Sequence, residues 1–176
     1  MVEGEAKQEI LLSKVHLNYF KFMQKDFEKQ LIKGRVAELV FQQMWSELRT
    51  HTILPLGYER VLPGLLERSD NKALKPIRSA PDFVLIPKDD KDDNIMIVEV
   101  KFRKHPETGN NLLNIAAEQN KRWSPSYLFI ASLKGFYWGR CDLIIKNRKI
   151  EKLDTELIPS KIQEKYRKII NEFLDK

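Results

Sequence analysis

Three residues near the middle of the chain combine types and spacing that could do chemistry: Asp82, Glu99 and Lys101. They lie in a stretch where two apolar runs, Phe83 to Ile86 and Ile95 to Val98, flank the polar, turn-prone segment Pro87 to Asn94. Apolar runs on either side of such a turn predict a β-hairpin. In an antiparallel pair the partners' numbers sum to a constant. Closing the turn symmetrically sets Ile86 opposite Ile95, Phe83 opposite Val98 and Asp82 opposite Glu99. Side chains alternate along a strand, so Lys101 shares the face of Glu99 while Val100 points to the other. Neither apolar run alternates, which predicts strands covered on both faces, and adjacent carboxylates on a buried strand repel and raise each other's pKa. A divalent cation removes that conflict, and two carboxylates with a backbone carbonyl and waters are the usual ligand set of magnesium. Lys101 would orient a water or stabilise charge building on a phosphoryl group.

Pro81-Asp82, with Glu99-Val100-Lys101 on the next strand, resembles the signature of the PD-(D/E)xK nuclease superfamily. The likeness covers roughly Gly34 to Ile145, and its specific part is those few residues. It implies a restriction-endonuclease-like fold and a Mg2+-dependent nuclease, with Mn2+ as a substitute, that hydrolyses phosphodiester bonds. Asp82, Glu99 and the Val100 carbonyl would hold the metal. In this superfamily the helix before the sheet often supplies a further acid, and Glu38 is the matching position. A glutamine or lysine on the crossover helix faces the scissile phosphate in several members, which nominates Gln119, with Glu118 and Lys121 competing for the role. DNA is favoured over RNA, and a junction-resolving, restriction-type or repair endonuclease would fit. The competing expectation is a nucleic-acid-binding protein that keeps the fold without cutting.

The elements that must position these residues follow in chain order. Residues 5–32 read as a helix, with Leu12, Val15, Tyr19, Phe22, Phe27 and Leu31 at helical steps. Gly34 breaks it from a second helix, Arg35 to Arg49, whose apolar stripe includes Leu39, Phe41, Met44 and Trp45, with Glu38 beside it. A strand over Thr52 to Leu62, interrupted by Pro55 and Gly57, reads as a sheet edge or a bulge. Pro63 to Ser79 reads as a polar loop that brings Arg78 toward Asp82 for phosphate contact. Beyond Lys101, Arg103 falls on the face of Glu99 and, with Lys104, offers the best local anion site. Leu112 to Arg122 as a helix and Tyr127 to Ser132 as a strand make a crossover that should return parallel. Phe136 to Arg140 and Asp142 to Ile145 read as further strands. Ser160 to Gln163 reads as a capping box opening a helix with Ile162, Tyr166, Ile169, Ile170 and Phe173 on one side.

Composition bounds the rest. At 176 residues and 42% hydrophobic, the chain suits one α/β domain with a mixed central sheet flanked by helices. Its expected parts are an N-terminal helical segment (1–33), an α/β core (34–150) and a C-terminal helix (160–175). The net charge of +6 favours an anionic partner, although 25 acidic residues interspersed with 31 basic ones make this a bias rather than a polybasic tail. A single cysteine, Cys141, forms no intrachain disulfide and points to a reducing compartment. The acidic first residues and the lack of a long apolar run predict a cytoplasmic protein without membrane partners. The apolar faces of the terminal helices suggest a homodimer interface.

Overall fold

In the computed structural model, which describes residues 28–56, 80–89, 91, 93–106 and 109–174, the first described element is a helix over residues 28–48, α1. Gly34 does not break it, contrary to the reading above. A helical glycine costs about 1 kcal/mol relative to alanine, and the burial of Val40, Phe41, Met44 and Trp45 further along outweighs that. The chain divides into two compact units, Met1–Arg35 and Val36–Lys176, and the sheet belongs to the second. Its strands are β1 (His51–Pro55), β2 (Phe83–Pro87), β3 (Met96–Phe102), β4 (Ser126–Ser132), β5 (Gly135–Arg140) and β6 (Glu151–Lys152). The helices are α2 (Asn110–Arg122) between β3 and β4, α3 (Cys141–Asn147) after β5, and α4 (Ser160–Leu174).

The six strands lie side by side in chain order. Every pairing is antiparallel except β3 with β4, which the α2 crossover makes parallel as expected. Phe83 pairs with Val98 and Leu85 with Met96, the register that the symmetric turn requires. Among the described strands β1 is at the edge, and Pro55 ends it; the continuation to Leu62 and the loop carrying Arg78 fall outside the described residues.

One face of the sheet packs against α1 and α4 through Phe83, Val98, Val100, Phe129 and Phe136. The other meets α2 and α3 through Leu128, Ile130 and Tyr137. The hairpin is not covered on both faces along its whole length. In β2, fully buried Phe83 and Leu85 alternate with half-buried Val84 and Ile86, and burial on both faces begins only at Val98 to Val100 of β3. The reason is placement: α2 and α3 lie against β4 and β5, not over β2.

Three further readings are corrected. Asp142 to Ile145 is helix rather than strand, with Cys141 and Ile144 buried one turn apart while Leu143 and Ile145 face solvent. A short apolar run carries no period that separates the two states. Leu39 and Phe173 stand exposed rather than in the core. Gln163 begins no reciprocal capping box, because its side-chain amide donates to the carbonyls of Leu153, Asp154 and Ile158 and so ties the preceding loop to α4. No described helix is long and apolar enough to cross a membrane.

The β4–β5 turn yields a test of local backbone chemistry. Gly135 has φ 140°, a conformation that disfavours a Cβ, and Ser132 Oγ braces the turn by donating to the Gly135 carbonyl at 3.0 Å and accepting the Lys134 N–H at 3.1 Å. Gly135→Ala is expected to lower stability by roughly 1–2 kcal/mol, read as a shifted urea midpoint at unchanged slope.

Candidate functional site

Asp82 immediately precedes β2, and two neighbouring strands fix it. Its backbone carbonyl accepts the Leu56 N–H at 2.9 Å, which continues the β1–β2 ladder. Its carboxylate Oδ2 accepts the Val100 N–H at 2.7 Å, which ties it to β3. One step back from the Phe83–Val98 pair, the register puts Asp82 across from Glu99. In a strand the N–H and C=O of one residue leave on the same side, so the Val100 carbonyl is directed toward β2 as its N–H is.

Glu99 lies beside Leu128 and Lys101 beside Ile130 in the parallel β3–β4 pair. Leu128 and Ile130 belong to the cluster under α2 and α3, so Glu99 and Lys101 share that face as alternation demands. Glu99 is only 9% exposed, and its Oε1 is ion-paired with the Lys101 ammonium.

The charges explain what the arrangement does. Burial and the repulsion of Glu99 push the Asp82 carboxyl up to about 7, against the opposing pull of Lys101 and the Val100 N–H. Glu38 raises it a little further, which brings the α1 carboxylate within electrostatic reach of Asp82. Burial pulls the Lys101 ammonium down, but Glu99 and Asp82 outweigh it and hold the group above its ordinary value. Strand β3 ends at Phe102, one residue before Arg103; Arg103 repels Lys101 and so lies within electrostatic reach of it, and burial draws its guanidinium below the usual range.

Asp82, Glu99, Val100 and Lys101 are therefore brought together, with Glu38 and Arg103 at the margin. Lys104 is exposed just past β3. Gln119 sits half-buried on α2 with its Oε1 enclosed and without a hydrogen-bond partner. Arg78 is outside the described residues. Among those residues no three His, Cys, Asp or Glu side chains converge as a ligand group.

One neighbour escaped the sequence reading. Cys141, at the start of α3, lies close enough to Glu99 to feel its charge, and burial pushes its thiol up to about 11, so it is a neutral wall of the site rather than a nucleophile. Forty-two positions separate Cys141 from Glu99 in the chain, and no local pattern joins them. Compared with protein-family models and with curated proteins, the chain matches none.

Proposed function

We propose that the protein is a Mg2+- or Mn2+-dependent nuclease of the PD-(D/E)xK superfamily with a restriction-endonuclease-like fold, acting on DNA. The observation that carries the reading is the Asp82 carboxylate, tied to the Val100 N–H across from Glu99 and held near pKa 7 by burial and by that second carboxylate. A purely structural site gains nothing from such a pair, because each acid makes the other costlier to ionise.

The donors fit the metal that the resemblance implies. Asp82, Glu99 and the Val100 carbonyl would hold it, and an oxygen-only set suits magnesium or manganese rather than zinc. A divalent ion there supplies Lewis acidity and makes a water easier to deprotonate. Asp82 and Glu99 orient the site. Lys101, kept charged by both carboxylates, stabilises negative charge building on the phosphoryl oxygens. Arg103 adds a second cation for the flanking phosphate.

The test is cleavage of plasmid, linear and four-way-junction DNA, and of RNA, by purified protein with magnesium and after chelation. Asp82→Ala and chelation should each abolish cleavage, and activity that survives both overturns the reading. The same panel decides between junction-resolving, restriction-type and repair substrates, while mass in solution decides the homodimer.

A second reading has one observation in its favour. The Lys101–Glu99 ion pair neutralises one carboxylate without any metal, as a nucleic-acid-binding protein that does not cut would need. Such a protein would bind DNA with an affinity that falls with salt and ignores magnesium.

A further inference from the structure

A second cluster of cations lies away from Asp82 and Glu99. A cavity of about 270 Å³ opens between the β4–β5 turn, β6 and α4, and Lys134, Lys152 and Arg167 line it together with the hydroxyl residues Thr155 and Ser160. One carboxylate, Glu164, is also in the lining, so the cavity keeps a positive surplus. Lys101, Arg140, Lys149 and Lys165 each hold an acidic partner. Lys134, Lys152 and Arg167 hold none among the described residues. Gln163 is spent on the carbonyls of Leu153, Asp154 and Ile158, which leaves ammonium, guanidinium and hydroxyl donors facing the space. Unpaired donors of this kind, from three separate elements, suit an anion with several oxygens.

The size narrows the choice. Pockets for whole small-molecule ligands run from about 300 to 1,000 Å³, so this cavity suits a phosphate with part of its sugar better than a complete nucleotide. Topology supplies the source. Strand β4 is parallel to β3, β5 antiparallel to β4 and β6 antiparallel to β5. The ends of β3, β4 and β6 therefore lie at the same end of the sheet, together with Asp82 before β2. Lys101 marks that end on β3 with Arg103 and Lys104 just past it, Lys134 marks it in the β4–β5 turn, and Lys152 marks it on β6. Three strand spacings of roughly 4.8 Å separate β3 from β6 within the sheet, about 14 Å, and because Ser160 and Arg167 come from α4 on the face opposite Glu99 and Lys101, the path between the two sites runs around the strand ends. That is at least about four steps along a B-form strand with one phosphate per roughly 3.4 Å.

We propose that the cavity of Lys134, Lys152 and Arg167 holds a backbone phosphate of the same polynucleotide that is cut at Asp82 and Glu99, a few nucleotides from the scissile bond. This rests on the nuclease reading. It makes β6 and α4 part of the substrate track and gives the enzyme a footprint longer than its catalytic pair.

The test is anisotropy of a labelled 20-base-pair duplex with full-length protein over a salt series, in calcium to hold back cleavage. Lys152→Ala/Arg167→Ala is expected to bind roughly tenfold more weakly and to reduce the slope of log affinity against log salt by about 1–2. The charge-preserving Lys152→Arg/Arg167→Lys should recover most of the affinity. Lys146→Ala/Arg148→Ala removes the same net charge beyond the other end of β5 and serves as the comparison. A loss at the cavity no larger than that comparison overturns the proposal. So does binding of inorganic phosphate, seen as Lys152- and Arg167-dependent calorimetric heat, that the duplex does not displace, since the cavity would then serve a free phosphate compound. Magnesium-dependent cleavage by the wild type is scored separately: cleavage with cavity-independent binding sinks only this proposal, and cavity-dependent binding without cleavage sinks the nuclease reading and leaves the cavity as a phosphate site for uncut nucleic acid.

Discussion

Asp82→Asn is expected to end phosphodiester cleavage, a loss on the order of 10³-fold or more, and at the same time to stabilise the fold at neutral pH. The carboxyl titrates at about 7 in the fold against an ordinary 3.8. Between those two values the native state keeps a proton that the unfolded chain has released. Stability therefore falls as pH rises through that window, and above the folded value the full penalty is present. The shift corresponds to at most about 4 kcal/mol, and because Asp82 is only half-buried, screening leaves about 2 kcal/mol. Asparagine removes the charge and keeps an oxygen for the Val100 N–H. Urea titrations should place the variant about 2 kcal/mol above the wild type at pH 8 and level with it near pH 4. A variant no more stable at pH 8 would show that Asp82 is not held there in an unfavourable charged state.

Magnesium should reverse that comparison. Only the ionised carboxylate is a ligand, so metal stabilisation of the wild type should grow as pH rises through about 7. At a hundredfold excess over its dissociation constant the ion adds about 2.7 kcal/mol, whereas the asparagine variant should show little response. A wild-type melting temperature unmoved by magnesium at pH 8 counts against the metal. Glu99→Gln should move the Asp82 value downward by removing the repulsion that helps to raise it.

Much of this site was legible because it is local. Asp82 and Glu99 flank one turn, two apolar runs fix where that turn closes, and antiparallel arithmetic does the rest, as the Phe83–Val98 pair bears out. The α2 crossover was equally readable, because the stretches Leu112 to Arg122 and Tyr127 to Ser132 are separated by Ser124-Pro125, which ends a helix, and they fall within Asn110–Arg122 and Ser126–Ser132. Where the reading failed, the local signal was real but weaker than a tertiary term. Gly34 does lower helix propensity, yet the core contacts of Phe41 and Trp45 stabilise α1 by more. Leu143 to Ile145 carries β-branched and apolar residues, but Cys141 and Ile144 find a buried seat only when the segment is helical. Lys134, Lys152 and Arg167 could not be joined from the chain at all, since it takes the β4–β5–β6 pairings and the packing of α4 against β5 to bring them to one cavity.

Phe41→Ala should couple the core to the site more strongly than its stability cost alone predicts. Phe41 is fully buried, with its ring centroid 5.1 Å from that of Phe83 and 5.0 Å from that of Phe129, the latter edge-on. Phe83 directly follows Asp82, and Glu38 sits one helical turn before Phe41, so one ring supports the backbone of one acid and the helix turn of another. Truncation removes the contacts and leaves a cavity, for an expected loss of about 3–5 kcal/mol. The control is Ile158→Ala, which empties another fully buried position in the same core, on the segment that leads into α4 rather than on α1 or β2, at a cost of about 2–5 kcal/mol. With both variants assayed under conditions where each is more than nine-tenths folded, Phe41→Ala is expected to cut magnesium-dependent cleavage by roughly tenfold or more, because a misplacement of about 1 Å can cost on the order of a hundredfold. Ile158→Ala should stay within about twofold of the wild type, the remainder that its small unfolded fraction and ordinary assay scatter allow. Equal activity losses in the two variants would mean that Phe41 stabilises the fold without positioning the site.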